Sequence, residues 1–304
     1  MVKDIEGTEP LPRLEELTES PIHYSEFRRI IRIFFGRKLA VFGLVIILLL
    51  VLTAIFAPFL APYDPTVMNM TNTLAHPSRE HLLGTDSLGR DVLSRLIYGS
   101  RASLLVAIGA IGLATVIGES LGLIAAHFGG IVYTIIMRLI DSLMAIPMLL
   151  IALLLASVLG GGLKNVILAL GVGMIAVHCR MMCGQALSVK QNEYVLAARA
   201  MGASNLRMMF RHIVPNAFPS LMVVITVGLG TTILAEAGLS FLGVGVLPPS
   251  PAWGSMINDG YKFILSNPML SFAPGIAIML VVFGFNMVGD GLRDALDPRL
   301  RGVI

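Results

Sequence analysis

The sequence predicts an all-α membrane protein with six transmembrane helices. Of its 304 residues, 56% are hydrophobic and only 13% are charged, and the mean hydropathy is +0.83. A soluble domain usually contains about 25% charged residues. The apolar residues also fall into runs of about 20, the length that a helix needs to cross the hydrocarbon core of a bilayer. The composition therefore excludes a soluble globular protein.

The six predicted spans lie at residues 39–60, 102–126, 134–159, 163–182, 215–240 and 270–290. An even number of spans returns the chain to the side on which it began. The charged segment before the first span is too long for a signal peptide, and Pro58 directly after Ala57 disfavours cleavage. We therefore expect the first span to be a retained anchor.

Basic residues cluster before the first span, between the fourth and fifth spans, and after the last. They are Arg28, Arg29, Arg32, Arg37, Lys38, Arg180, Lys190, Arg199, Arg207, Arg211, Arg293, Arg299 and Arg301. Basic loops stay on the cytoplasmic side of a membrane, so all three clusters should be cytoplasmic. The sequence thus predicts cytoplasmic tails at residues 1–38 and 292–304. Prolines and acidic residues in segment 1–27 suggest that it is mobile or loosely attached.

The segment 61–101 should then be external, although it breaks the charge rule. Its basic residues are Arg79, Arg90, Arg95 and Arg101. Within it, Leu88, Val92, Leu96 and Ile97 recur at near-helical spacing. This pattern predicts an interfacial helix at residues 87–100, lying on the membrane before the second span.

Charged residues within the spans need partners or water, since each would cost about 2.5–3.5 kcal/mol at a helix centre. Arg138 and Asp141 stand three apart on the third span and share a face, where they could neutralise each other. Glu119 in the second span and Glu236 in the fifth are better candidates for a water-filled path. Pro147 should kink the third span.

Cys179 and Cys183 lie four residues apart, beside His178, Met181 and Met182. A group of such soft ligands suggests a metal site. Successive residues point in different directions around a helix, however. We therefore interpret the cysteines as packed, reduced thiols and predict no metal site.

The most polar internal segment is Glu193–Asn216, which reads EYVLAARAMGASNLRMMFRHIVPN. Strong helix formers extend to Met201, and Gly202 can supply the left-handed turn that ends such a helix. Ser204 can cap a second helix that runs to His212. Three small residues would let another backbone approach closely: Ala197, Ala198 and Ala200. For an arbitrary membrane protein, a solvated connector would be the better interpretation of such a segment.

The spacing EYVxAARAxGAS followed by RHIVPN resembles the EAA loop of permease subunits in bacterial ABC importers. In that family the loop is a cytoplasmic coupling helix that sits in a groove of the ATPase subunit. Val214 departs from the pattern, where leucine is commoner. The motif positions are Glu193, Ala197, Ala198, Gly202, Ile213 and Pro215. The resemblance implies a coupling loop at 193–212, with contacts to the ATPase by Glu193, Tyr194, Ala197, Ala198, Arg199, Gly202, Ala203, Ser204, Arg207 and Pro215.

Three further blocks resemble the C-type permease of dipeptide, oligopeptide and nickel importers. They are HLLGTDSLGRDVLSRLIYGSRASL at 81–104, EAGLSFLGVGVLPPSPAWGSMIND at 236–259 and GDGLRDALDPRLRG at 289–302. The resemblance covers about residue 25 to the end. It implies a type I ABC importer permease fold, with 39–60 as the first transmembrane helix and 102–291 as a five-helix core. Tyr133 replaces an acidic residue of the family pattern, which puts the role of that acid in doubt.

The resemblance also implies a function. The chain would be a bacterial inner-membrane permease subunit that works by alternating access, with a homologous second permease, two ATPase subunits and an external substrate-binding protein. External segment 241–268 would be an outer gate or the docking face for that protein, unless it is an inert loop. Nucleic acid is not an expected partner. Phosphate-binding and catalytic motifs are missing, so ATP and Mg would be bound by the partner ATPases and this chain would bind no cofactor.

The implied cargo is a short peptide, and Glu119, Arg138, Asp141 and Glu236 are the candidate residues of the translocation path. Within the family, nickel or a metal chelate is an alternative cargo. From another class, the chain could be an ion-coupled secondary transporter that uses Glu119 or Glu236 for protons. The coupling loop argues against the last interpretation, because a secondary transporter has no use for an ATPase-binding element.

Overall fold

The computed structural model describes residues 26–296. The expectations for the first 25 residues, and for Arg299 and Arg301 in the C-terminal tail, lie outside this part of the chain. Residues 26–296 are almost entirely helical, with a single β-bridge between Thr85 and Asp91. The helices are α1 (Glu26–Gly36), α2 (Lys38–Ile55), α3 (Ala57–Leu60), α4 (Val92–Phe128), α5 (Gly130–Met144), α6 (Met148–Leu159), α7 (Leu163–Lys190), α8 (Glu193–Ala200), α9 (Asn205–Phe241), α10 (Trp253–Tyr261) and α11 (Met269–Leu296).

The spanning helices agree with the predicted fold class. Five of them, α2, α4, α7, α9 and α11, are long and apolar enough to cross a membrane. The pair α5 and α6 counts as a sixth span if its two bent halves are taken together. The all-α membrane fold with six spans is therefore confirmed.

The third span is broken rather than kinked. Helices α5 and α6 meet at an angle of 85°, and Pro147 stands at the start of α6 with an extended backbone (φ −53°, ψ 131°). Proline lacks the N–H that an uninterrupted helix would use, and it pushes the preceding residue away from helical geometry. Pro147 therefore accounts for the position of the break.

The predicted interfacial helix at 87–100 does not form as a separate element, because residues 87–91 are not helical and residues 92–100 are the first turns of α4. This helix is 37 residues long, or about 55 Å at 1.5 Å per residue. Asp91 caps its start by accepting a hydrogen bond from the Ser94 N–H at 2.8 Å. Trp253 of α10 covers this region and donates from Nε1 to the Leu96 carbonyl at 2.9 Å. Val92 and Leu96, two of the apolar residues in this pattern, pack in a core cluster that includes Trp253.

The N-terminal segment 1–38 is not wholly a tail, because its last described part forms α1. The Phe34 ring is buried against the end of α11, where a Cβ on Gly291 would lie 3.1 Å from it. Arg37, in extended geometry between α1 and α2, forms an ion pair with Asp294 of α11. These contacts hold the start of the chain on the end of the last span.

Segment 61–101 is held in place by buried charged side chains. Asp86 accepts from Arg90 Nε at 2.7 Å, and its other oxygen accepts from the Arg90 N–H at 3.0 Å. Arg95 of α4 approaches the same carboxylate at 3.5 Å, and Arg90 reaches Asp259 of α10 at 3.7 Å. Buried charges require such pairing and hydrogen bonding. The block at 81–104 therefore has a structural role, because it joins segment 61–91 to α4 and α10.

Helix α4 packs closely on α7 through two glycines. A Cβ on Gly118 would lie 2.7 Å from the Ile175 carbonyl oxygen, and one on Gly122 would lie 2.3 Å from the Cys179 carbonyl oxygen. A real Cβ cannot lie so close to another atom. The backbones of α4 and α7 can therefore approach this closely only because small residues lie at the contact. The sequence alone leaves open which helix these glycines touch.

We expect Gly122→Ala to destabilise the protein by about 1–3 kcal/mol, because the new methyl group must push α7 away. Gly112→Ala is the matched control on the same helix, since nothing lies within 4 Å of a Cβ there. Thermal unfolding in detergent and the amount of protein in membranes measure the effect. Equal stability of the two variants would contradict the close contact between α4 and α7.

Candidate functional site

The coupling loop contains a sharp helix end at Gly202. The residue has a φ of +80°, the left-handed conformation that glycine adopts without strain. The Ala203 N–H donates to the Ala198 carbonyl at 3.1 Å, and the Gly202 N–H donates to that of Arg199 at 3.0 Å. This pair of hydrogen bonds is a Schellman motif, which satisfies the last carbonyls of α8. The predicted left-handed turn is confirmed.

The second half of the loop differs from the prediction. Ser204 caps the next helix as expected, accepting from the Arg207 N–H at 3.4 Å. That helix does not end at His212 but continues as α9 to Phe241, through a π-helical turn at Met208–Ile213. Pro215 follows this turn after one residue, Val214. The loop is therefore one short helix, α8, joined by a tight turn to a full membrane span.

The inner face of the loop is packed into the protein. Its buried residues are Val195, Ala198, Met208, Met209 and Ile213, and they contact Leu123, Ala126, Met182, Cys183, Ala186 and Val189 at the ends of α4 and α7. Ala198 therefore faces the protein's own core and is not available to another backbone, contrary to the sequence-based expectation. Ala197 and Ala200 remain exposed.

Polar contacts also attach the loop to the end of α4. Lys190 donates from Nζ to the carbonyls of Ala126 at 2.7 Å and His127 at 3.1 Å. His127 Nε2 lies 3.0 Å from Asn205 Oδ1, at the start of α9. A lysine that covers the carbonyls of a helix end satisfies them and opposes the helix dipole. The sequence identified Lys190 only as a basic loop residue, because its target is distant in the chain.

The outer face of the loop is apolar and exposed. The exposed fractions are 46% for Tyr194, 53% for Leu196, 82% for Met201 and 68% for Leu206. Arg199 and Arg207 are exposed beside them, as is Glu193, whereas Ala203 is half-buried. Exposed apolar groups rimmed by polar ones are typical of a protein contact surface. We call Tyr194, Leu196, Met201 and Leu206 the apolar knob.

The predicted pairing of Arg138 with Asp141 is wrong. Asp141 instead forms an ion pair with Arg180 of α7, and both side chains are 49% exposed. Arg138 is exposed and makes no ion pair within residues 26–296. Residues three apart on one helix share a face, but Asp141 pairs with Arg180 because that guanidinium on the neighbouring helix is closer.

Glu119 lies in a second π-helical turn, Thr115–Glu119 of α4. Its Oε1 is 3.6 Å from Nδ1 of the buried His178, and Thr115 Oγ1 is 3.4 Å from the same nitrogen. Glu119 lines an open groove of about 360 Å³ whose walls also include Met209 and Phe210 of the coupling loop. Sequence reasoning considered His178 only as a metal ligand and missed this partner of Glu119.

Glu236 is enclosed by the protein. It is fully buried, and its two carboxylate oxygens accept hydrogen bonds from Ser103 at 3.1 Å and Ser240 at 2.6 Å. Ser103 belongs to α4, so the carboxylate connects α4 to α9. In this structure Glu236 therefore contributes to helix packing, and its role in the translocation path stays a prediction.

The structure contains a larger cleft that sequence reasoning missed. Helices α7 and α11 both pack on α9, and a cleft of about 470 Å³ lies between them near the ends of α7 and α11. Its walls are formed by Met181, Gln185, Pro219, Ser220, Val223, Val224, Arg293 and Leu296. None of the four predicted path residues is among them. No periodicity signals such a cleft, because its walls come from three distant segments.

Cys179 and Cys183 are buried and free. Within residues 26–296, no group of three or more His, Cys, Asp or Glu side chains could hold a metal ion. The two cysteines instead pack on neighbouring helices, Cys183 in the core beneath the coupling loop.

Comparison with known proteins extends these observations. Residues 118–302 match the family described as binding-protein-dependent transport system inner membrane component, and residues 25–77 match the N-terminal TM domain of oligopeptide transport permease C. The fold is similar to that of a chain in the solved inward-facing MetNI methionine ABC transporter, with a TM-score of 0.55 and 21% identity over 67% of this chain and 96% of that one.

Curated relatives are similar over most of their length. The dipeptide transport system permease protein DppC of Alkalihalophilus pseudofirmus is 43% identical over 87% of both chains. The oligopeptide transport system permease protein OppC of Bacillus subtilis is 44% identical over 88% of both. The glutathione transport system permease protein GsiD of Pectobacterium atrosepticum is 39% identical over 90% of this chain and 92% of its own.

The family match covers more than half of the chain, the relatives exceed 30% identity across most of it, and the helical architecture agrees with both. The chain therefore belongs to the family of binding-protein-dependent transport system inner membrane components and is an inner-membrane permease subunit of an ABC importer.

Proposed function

We propose that this permease carries short peptides across the membrane, together with a homologous second permease, two ATPase subunits and an external substrate-binding protein. The names of its dipeptide, oligopeptide and glutathione relatives support a peptide cargo. The two faces of the coupling loop carry the proposal. An exposed apolar knob is suited to a groove in another protein, while the inner face is packed onto three spanning helices.

The coupling loop would transmit the movement of the ATPases. ATP and Mg bind to those subunits, and this chain contributes no catalytic group. A ligand shifts an equilibrium only through contacts that differ between two states. Such contacts would form at the apolar knob, and the core beneath it would carry the displacement to α4, α7 and α9. ATP binding would thereby favour the outward-facing state, and hydrolysis would allow the return.

The cleft between α7, α9 and α11 is our candidate for the cargo's path near the cytoplasm. Gln185, Ser220 and Arg293 approach it from three helices, and their side chains make no hydrogen bond or ion pair within residues 26–296. A peptide presents amide groups and a carboxylate, which such donors and acceptors can bind in passing. Glu119, in its separate groove, remains a candidate for a different stage of transport.

A second permease would cover the exposed charges of α5 and α7. A charged side chain at mid-membrane costs about 2.5–3.5 kcal/mol on insertion scales. Arg138, Asp141 and Arg180 are all exposed on this chain within predicted spans. Lipid acyl chains cannot solvate these charged groups, whereas a homologous subunit or an aqueous path between the two subunits would do so.

The coupling loop should face the cytoplasm, where the ATPases bind. Residues 28–38, 180–211 and 293–301 carry 13 of the chain's 22 lysines and arginines, and basic segments stay on the cytoplasmic side. Both termini would then be cytoplasmic.

The proposed function is tested by reconstituting the chain with its partner subunits in proteoliposomes. We expect ATP-dependent uptake of radiolabelled di- and tripeptides and no ATPase activity by the isolated chain. Uptake of nickel but not of peptides would show that the cargo is nickel. Uptake driven by a proton gradient in the absence of ATPases would show that the chain is a secondary transporter.

Gly202→Asp should leave the protein in the membrane but abolish coupling. A residue with a side chain at this φ costs about 1 kcal/mol, and the charge would stand beside the apolar knob. Retention of the ATPase subunits on the purified permease and peptide uptake are the measurements. We expect both to fall at least tenfold.

The matched control is Gly243→Asp at the opposite end of α9. Gly243 has a φ of +82° with open space around it, and it ends α9 with the same hydrogen bonds as Gly202. It should show the same strain while retaining the ATPases. Normal retention by both variants would mean that residues 193–212 only connect two spans.

Filling the cleft should block transport. Ser220→Trp would place an indole among Gln185, Val223 and Arg293, so we expect peptide uptake to drop at least tenfold with the ATPases still bound. Ser220→Ala keeps the space and serves as the control. Uptake by Ser220→Trp at the rate of Ser220→Ala would show that cargo passes elsewhere.

A further inference from the structure

Helix α1 presents three different surfaces around its axis. One surface is buried, where Phe34 inserts and Ile30 and Ile33 pack on the end of α11. A second is apolar but exposed, with Ile31 40% and Phe35 55% accessible. The third is basic: Arg28 and Arg32 are exposed, and Arg29 is half-buried.

The order of these surfaces follows from helical geometry. Ile31 and Phe35 are four residues apart and share a face, as do Arg28 and Arg32. At 3.6 residues per turn, the apolar exposed face lies between the buried face and the basic face. A helix that lies in the plane of a membrane surface has this arrangement, with apolar side chains toward the acyl chains and basic ones toward the headgroups.

The position of α1 places it at that depth. It is separated from the first span only by the extended Arg37, and α2 begins at Lys38. Leu39, one residue further, is also apolar and is 65% exposed. Helix α1 therefore lies where the chain enters the hydrocarbon, and the ion pair from Arg37 to Asp294 holds it there.

We propose that α1 is a binding site for anionic phospholipids, with the phosphate groups held by Arg28, Arg29 and Arg32 while Ile31 and Phe35 lie among the acyl chains. A basic residue near the surface of an anionic membrane contributes about 1 kcal/mol to such binding. Guanidinium groups suit phosphate because they donate two parallel hydrogen bonds.

The test measures which lipid lies next to α1. The full chain carrying Phe35→Trp is reconstituted in nanodiscs that contain phosphatidylcholine and phosphatidylglycerol, with bromine on the acyl chains of one lipid or the other. Bromine quenches an adjacent indole, and the protein without the substitution supplies the background of its single tryptophan, Trp253. At equal mole fractions, we expect brominated phosphatidylglycerol to quench the introduced indole several-fold more strongly.

Removing charge should abolish the preference without moving the helix. In Arg28→Gln/Arg32→Gln, the excess of phosphatidylglycerol should fall by about fivefold per arginine, and high salt should weaken it too. Quenching by brominated phosphatidylcholine should be unchanged, which shows that α1 keeps its depth. Arg79→Gln/Arg101→Gln, an equal charge change at exposed sites of segment 61–101, should keep the preference.

Three results would overturn the proposal. Equal quenching by both lipids would mean that the arginines face water alone. No quenching by either lipid would show that α1 does not lie at the membrane surface. A preference for phosphatidylglycerol that persists in Arg28→Gln/Arg32→Gln would assign it to another part of the chain.

Discussion

The close contact between α4 and α7 is the interaction on which the rest of the structure depends. Two glycines let the backbones meet, so residues on either side are brought together across the interface. On one side of Gly122, Glu119 meets His178. On the other, Lys190 reaches the last carbonyls of α4. The core under the coupling loop is built on the ends of these two helices. A bilayer offers no hydrophobic drive for helices to associate, so close packing of small residues must supply it.

The sequence predicted features that depend on local chemistry. Six spans follow from runs of apolar residues, and the turn at Gly202 follows from glycine's backbone freedom. Pro147 predicts where the third span bends, although the sequence indicated a kink and not a break of 85°. The coupling loop was found through a resemblance, and its composition alone would have suggested a connector. What the loop contacts, and which of its faces is exposed, could be known only once α4 and α7 had been placed.

The failed predictions concern contacts between distant segments. The residues at 87–100 have the spacing of an interfacial helix, but Trp253, more than 150 positions away, covers them. Asp141 pairs with Arg180 because α7 lies beside α5, and Glu236 is enclosed because Ser103 happens to face it. An ionisable residue in a span must find a partner or water. The sequence identifies the ionisable residues that need a partner, whereas the fold determines which partner each of them has.

Helix α9 runs without interruption from the coupling loop to Phe241 on the opposite side of the protein. Its irregular points, the π-helical turn and Pro219, fall within its first 15 residues. At its far end it touches α10, where a Cβ on Gly254 would lie 2.0 Å from the Ala237 carbonyl oxygen, and the Asn258 side chain donates to the Phe241 carbonyl. Beyond Pro219, α9 contains no further proline or π-helical turn at which it could bend. A tilt of the part of α9 beyond Pro219 would therefore also displace α10, which packs on its far end.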